Sequence, residues 1–236
     1  PAYGGDDDCA DDFNRAAPAL NEKVCDKCVI EALFDDGKLF ETNKSFAPEV
    51  KTGMARIGGI AVGAIVFGGG EKGVELDRNI ILKIKKLAYL CEENDLPLIT
   101  LVNAGGIKAD LNTALTTVMK EAADLSYALY NLSTPRINVV YGKAVGLGYT
   151  LFVSKALGAD YSLAFATAKI SLFDTDKGAM IELAGVNEEN KDKAEEKYAD
   201  ENQDPVNAAR KGYIDDIIEP QFVRAHVIER LQILTR

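Results

Sequence analysis

Histidine occurs once in 236 residues, at His226, and that scarcity removes a large part of the usual catalytic repertoire. A Ser-His-Asp hydrolase would rest on His226 alone, and the chain contains no Gly-x-Ser-x-Gly turn. His226 reads instead as a surface or subunit-contact residue on the last helix. Basic residues are outnumbered: 27 Lys and Arg against 37 Asp and Glu leave a net charge of −10, so neither nucleic acid nor an anionic membrane is an expected partner. No run of about 18 apolar residues exists, and no basic-then-apolar leader pattern opens the chain, so it reads as cytoplasmic. Prolines are few, 7, against an apolar fraction of 47%, which favours a globular body over disorder. No Gly-x-Gly-x-x-Gly follows the first strand, which argues against a dinucleotide site.

Cysteine is also sparse, at 4 residues, as suits a reducing compartment. Cys25-x-x-Cys28 lies in an apolar helical pattern. Cys9 would be a third metal ligand, but no fourth is near, so no metal site is expected. A thioredoxin-like βαβ context is missing as well, and buried thiols are the expectation.

What the chain does have is alternation. Residues 1–18 are acidic and aperiodic (Asp6-Asp7-Asp8, Asp11-Asp12) and read as a flexible linker or tail; residues 19–236 read as one domain. Apolar spacing predicts a helix over Leu20–Leu33, ended by Asp35-Asp36-Gly37, and a hairpin across Gly58-Gly59. A helix is expected over Val74–Asn94 and another from about Leu111 to Leu132. Short strands follow at 160–165 and 170–173, a helix at Thr175–Leu183, and a solvated charged helix at Glu188–Asp200. A brief helix at Val206–Lys211, a short strand before Pro220 and a closing helix at Phe222–Leu234 complete the chain. Strands alternating with helices give an α/β class, and the early hairpin favours a spiral of ββα turns.

Two glycine segments stand out, each after an apolar strand and before a helix. The first is Leu98–Val102 followed by Asn103-Ala104-Gly105-Gly106. The second is Ile137–Tyr141 followed by Gly142-Lys143-Ala144-Val145-Gly146-Leu147-Gly148-Tyr149, with the helix expected to reach Leu157. A glycine turn opening a helix leaves backbone N–H groups unpaired, where they suit an oxygen that gains negative charge.

From about Lys38 to Arg236 the chain resembles the C-terminal domain of the biotin-dependent acyl-CoA carboxyltransferases, a branch of the crotonase superfamily. The likeness rests on Leu39-Phe40-Glu41, Gly53-Met54-Ala55-Arg56-Ile57, Leu96–Val102, Lys143-Ala144, Gly148-Tyr149, Lys177-Gly178-Ala179 and, most specifically, Gly212–Pro220 followed by Arg224. It implies a crotonase-like (ClpP/crotonase) ββα spiral that moves a carboxyl group between carboxybiotin and an acyl-CoA through two enolates, each held in an oxyanion hole. The implied cofactor is biotin on a carrier protein, with acyl-CoA as substrate. The implied partners are the N-terminal carboxyltransferase half, the biotin carboxyl carrier protein and biotin carboxylase, in a homo-oligomer.

By this resemblance, the N–H groups of Leu147 and Gly148 hold the biotin ureido oxygen and Gly106 shapes the pocket. Gly105, Gly146, Tyr149 and Thr150 line the cofactor. The chain departs from the family pattern twice. Where the family has Tyr-Gly-Gly-Ala-Tyr, this sequence has Val145-Gly146-Leu147-Gly148-Tyr149. The family's Pro-Gly-Phe-Leu-Pro-Gly loop is Gly105-Gly106-Ile107-Lys108-Ala109-Asp110, with one glycine in register and both prolines gone. The scarcity of histidine bases suits a reaction in which the cofactor itself takes the proton.

Alternative readings remain at this level. One is a decarboxylase subunit running the transfer in reverse; another is a non-catalytic assembly domain, which the two departures favour. A CoA hydratase or isomerase would need a carboxylate base, with Asp174, Asp176 and Glu182 as candidates. Lys143 and Lys177 fall near the expected cleft, with solvation the simpler reading of each, and Tyr149 more simply reads as core.

Overall fold

The computed structural model describes residues 9–108, 114–182 and 190–235. Among them the first helical stretch is broken. Helix α1 is only Ala19–Glu22, and α2 (Asp26–Leu33) starts anew with Cys25 as its N-cap. Cys25 and Cys28 are joined in a disulfide, which corrects both the continuous helix and the expectation of buried thiols.

Strand β1 (Leu39–Thr42) pairs antiparallel with β2 (Val50–Ile57), which turns at Gly58-Gly59 into β3 (Ile60–Phe67) as expected. Residues expected to open the next helix form β4 (Val74–Leu76) instead. The reason is local: Asp77 caps α3 (Arg78–Glu93) by accepting the Ile80 N–H at 2.8 Å, so the helix cannot begin earlier.

The first glycine segment is not a turn. Strand β5 runs unbroken over Leu98–Ile107. It can do so because Ala104 finds Val74 of β4 on one side and Ala144 on the other. Helix α4 spans Ala114–Tyr130, and its expected start at Leu111 lies outside the described residues. Strand β6 (Arg136–Val145) likewise absorbs Gly142, so the second turn is confined to Gly146. Helix α5 covers only Leu147–Phe152, with a separate 3-10 turn at Lys155–Leu157.

Strands β7 (Tyr161–Phe165) and β8 (Lys169–Ser171) follow, then α6 (Thr175–Glu182), α7 (Lys191–Asn202) and α8 (Pro205–Arg210). The expected helix end at Leu183 and the charged residues Glu188 and Glu189 lie outside the described residues. Strand β9 (Asp216–Ile218) and α9 (Val223–Leu234) close the chain.

The main sheet runs β1-β2-β3-β5-β6-β7-β9, parallel from β3 onward. Past a register shift near Asn103, β5 takes β4 as neighbour and β6 takes β8, so a smaller sheet grows from the end of the large one. Both faces are covered. Ile99, Leu101, Ile137 and Val139 pack under α2 and α9, while Leu98, Val102 and Val140 pack under α3, α4 and α5. This two-sided burial is why β5 and β6 read as continuous apolar runs. Two units, β3-β4-α3 and β7-β8-α6, repeat the expected ββα turn. Among the described residues no helix is long and apolar enough to cross a membrane.

Candidate active site

The ends of β5 and β6 bring the two glycine segments together. Gly146 has φ 57° and ψ −124°, a conformation that side chains rarely adopt. A Cβ placed on it would lie 3.4 Å from the Cα of Gly106. Its own N–H donates to the Ser171 oxygen of β8 at 3.2 Å, and its carbonyl accepts the Thr150 N–H and hydroxyl, each at 3.1 Å. The turn is therefore fixed from both sides.

Helix α5 begins at once, and the N–H groups of Leu147 and Gly148 have no acceptor among the described residues. Gly148 is required by packing, since a Cβ there would stand 2.6 Å from the Ala104 oxygen and 2.8 Å from its carbonyl carbon. Gly106 is the opposite case: a Cβ there would meet nothing within 4 Å among the described residues. Space is thus kept on the Gly106 side of the turn while α5 is clamped on the β5 side.

The other expected residues divide between wall and core. Gly105 is buried, with β4 covering it through the Val74 oxygen, 3.6 Å from where a Cβ would be. Thr150 is exposed and spends its hydroxyl on the turn. Tyr149 is 8% exposed, its ring tilted on Tyr213 with centroids 5.3 Å apart, and burial raises its hydroxyl above the ordinary tyrosine range. The ring belongs to the core, as its simpler reading had it. Ala109 and Asp110 of the first loop lie outside the described residues.

Asn103 organises this end of the sheet and was missed as more than part of a turn. Its side chain is 2% exposed. It donates to the oxygens of Gly68 at 2.8 Å and Gly70 at 2.7 Å, and accepts the Lys143 N–H at 2.9 Å. One amide thereby ties the loop after β3 to both glycine-bearing strands. The available signal was a polar residue within an otherwise apolar strand.

An open cleft of about 720 Å³ lies beside the turn, lined by Lys51, Gly69, Lys72, Lys108 and Lys143 among others. Leu147 and Gly148 do not line it; Lys143, on the strand that leads into Gly146, links the two. Lys143 lines the cleft with its side chain partly exposed, its amine 4.0 Å from the Asp174 carboxylate. Lys177 is exposed. Of the candidate bases, Asp174 is held by Lys143 and by the Thr175 N–H, and Asp176 is exposed. The Glu182 side chain lies outside the described residues. His226 is half-buried beside Arg230, remote in sequence from the turn. No group of three or more His, Cys, Asp or Glu side chains suited to a metal exists among the described residues.

Comparison with known proteins adds an independent view. The family model described as the carboxyl transferase domain matches residues 6–236. The propionyl-CoA carboxylase beta chain of Saccharopolyspora erythraea is 31% identical over 216 residues, 87% of this chain and 40% of that protein. The methylmalonyl-CoA decarboxylase subunit alpha of Veillonella parvula is 30% identical over 235 residues, 96% of this chain and 46% of that one. Among solved structures, transcarboxylase 12S with methylmalonyl-coenzyme A and methylmalonic acid bound superposes with a TM-score of 0.88 at 24% identity, over 96% of this chain and 46% of its own. That likeness shows the crotonase-like carboxyltransferase fold. The chain spans less than half the length of each of these relatives.

Proposed function

The chain belongs to the carboxyl transferase domain family, and from that premise we propose that it is the biotin-side half of an acyl-CoA carboxyltransferase. One observation carries the reading. Two adjacent N–H groups, Leu147 and Gly148, have no acceptor among the described residues at a turn locked by Gly146, and a Cβ on the neighbouring Gly106 would meet none of their atoms within 4 Å. The donor set fits a ureido oxygen, which is neutral at rest and gains charge during reaction.

When bound, biotin supplies the ureido group that carries the carboxyl. The chain's own part is to hold that oxygen with the two N–H groups, which need no reorganisation because α5 is clamped against Ala104. Gly106 leaves room for the ring. Asn103 fixes the Lys143 backbone, and through it the cation that faces the cleft. The leucine at 147 does not disturb this role, since the donor is main chain. The reading places the N-terminal half, a biotin carboxyl carrier and biotin carboxylase as partners, with the acyl-CoA held chiefly by the other half and the whole in a homo-oligomer. The reaction class covers both directions, because relatives named for carboxylation and for decarboxylation are similar to the chain at 31% and 30% identity.

The test is decarboxylation of malonyl-CoA and methylmalonyl-CoA with free biotin as acceptor, first with this chain, then with a matching N-terminal half added. Activity only in the mixture, lost in Gly148→Pro, is the expected result. A folded complex without activity would favour an assembly domain instead.

A further inference from the structure

The disulfide found at Cys25–Cys28 has no part in the proposed carboxyl transfer, and its surroundings suit a different chemistry. Its two sulfurs are three positions apart, Cys25 capping α2 and Cys28 in the helix's first turn, so the bond joins no two elements and staples nothing distant. Of the other cysteines, Cys91 is buried and its thiol is pushed up to about 12 by that burial, while Cys9 is half-buried and unpaired.

The Cys25 sulfur sits where a helix N-terminus favours negative charge. It accepts the Cys28 N–H at 3.1 Å, an interaction that stabilises a thiolate. Both cysteines are half-buried, within reach of a small thiol. Between them Asp26 hydrogen-bonds Lys51 of β2, and both residues line the 720 Å³ cleft. Val24, one residue before the pair, lines a second cavity of about 310 Å³ that reaches Asn103 and Lys143. The pair's chain neighbours thus line both cavities, Asp26 the first and Val24 the second.

We propose that Cys25–Cys28 is a reversible thiol–disulfide site that positions Asp26 at the cleft and Val24 at the second cavity. The co-reactant is a thiol of the glutathione class or a protein dithiol. Its thiolate attacks the Cys28 sulfur, the S–S bond breaks, and Cys25 leaves as the thiolate that the Cys28 N–H stabilises. A second thiolate then attacks the mixed disulfide and releases Cys28. The protein gains two electrons and, on protonation, two protons, while the two co-reactant thiols become one disulfide. Oxidation is the reverse. Reduction frees the start of α2 from its covalent tie and loosens the Asp26–Lys51 contact.

The test is independent of carboxyl transfer. The folded chain is equilibrated with oxidised glutathione or with a dithiol reductant, alkylated with a maleimide and weighed intact. The expected result is two more alkylated thiols after reduction, both lost on return to oxidised glutathione. Cys25→Ser should abolish that two-thiol step and leave Cys28 taking a single glutathione adduct. Full alkylation before reduction, or no gain after it under native conditions, would overturn the proposal. Hydrogen exchange supplies the second readout: faster exchange at residues 24–28 and 49–52 in the reduced form is expected, and identical exchange in both forms would refute the coupling to the cleft.

Discussion

Two glycine turns each present a pair of adjacent backbone N–H groups, and among the described residues only the first pair finds its acceptor. At the β2–β3 hairpin, Gly58 and Gly59 donate to the two carboxylate oxygens of Asp35, each at 2.9 Å. Asp35 is held in turn by Arg224, which is 0% exposed and also donates to the Leu33 and Asp12 oxygens. At the other turn, Leu147 and Gly148 offer the same two donors and no group among the described residues takes them. The first turn is a finished anion site whose anion is part of the chain. The second has the donors, the locked geometry and the adjoining space, and lacks only the acceptor. Gly148 is buried and Leu147 half-buried, and these open first-turn donors are the ones the proposed ureido oxygen would fill.

Removing the internal anion's anchor should have the largest effect. Arg224→Ala takes the balancing cation from Asp35 and a buried donor from the Leu33 oxygen, and urea unfolding should show a loss of ~3–5 kcal/mol. Little change in stability would mean that the hairpin turn does not need its filled site. Gly148→Ala comes next: its Cβ would strike Ala104, so α5 must shift, with ~1–3 kcal/mol lost and carboxyl transfer down by on the order of 100-fold.

The filled site also predicts a pH response. Burial pushes the Asp35 carboxyl up, but the Gly59 N–H, Arg224 and the Gly58 N–H together hold it below its ordinary 3.8. Its folded value is the lower one, so its stabilisation is fully present above the ordinary value and is lost as pH falls through the folded one. Asp35→Asn should therefore be less stable near neutrality and show a flatter acid limb in denaturant titrations from pH 6 downward, as a group of this kind requires. An unchanged acid limb would remove Asp35 from the account.

The finest cut is Gly106→Ala. The added methyl meets no atom of the described residues within 4 Å, so stability should stay within ~0.5 kcal/mol while carboxyl transfer falls. Retained activity would show that the open space there is not used. Tyr149→Phe is the matched control on the core side, with its ring still against Tyr213. Stability should again stay within ~0.5 kcal/mol and activity within about twofold, since the ring contact with Tyr213 is kept.

How far this was legible in the sequence follows the range of the interactions. The Gly58-Gly59 hairpin, the closing helix and the start of α5 at Gly146 are local, and spacing with turn residues reveals them. The extension of β5 through Gly105 and Gly106 depends on partners at Val74 and Ala144, which no local window contains. The same holds for Arg224 and Asp35, which are 189 positions apart, and for Asn103, whose three partners come from two other segments. The break at Cys25 escaped for another reason: apolar periodicity continues across it, and only the cap and the bridge reveal the interruption. At the candidate site, the donors were readable as a glycine turn, but the contact between Gly106 and Gly146 was not.

The comparison of the two turns is tested most directly by amide NMR of the isotope-labelled chain, titrated with biotin alone and again with the matching N-terminal half present. The account predicts that the Leu147 and Gly148 signals move on adding biotin while those of Gly58 and Gly59, already bound to Asp35, stay in place. Biotin-dependent shifts confined to other residues, with Leu147 and Gly148 unmoved in both titrations, would contradict it.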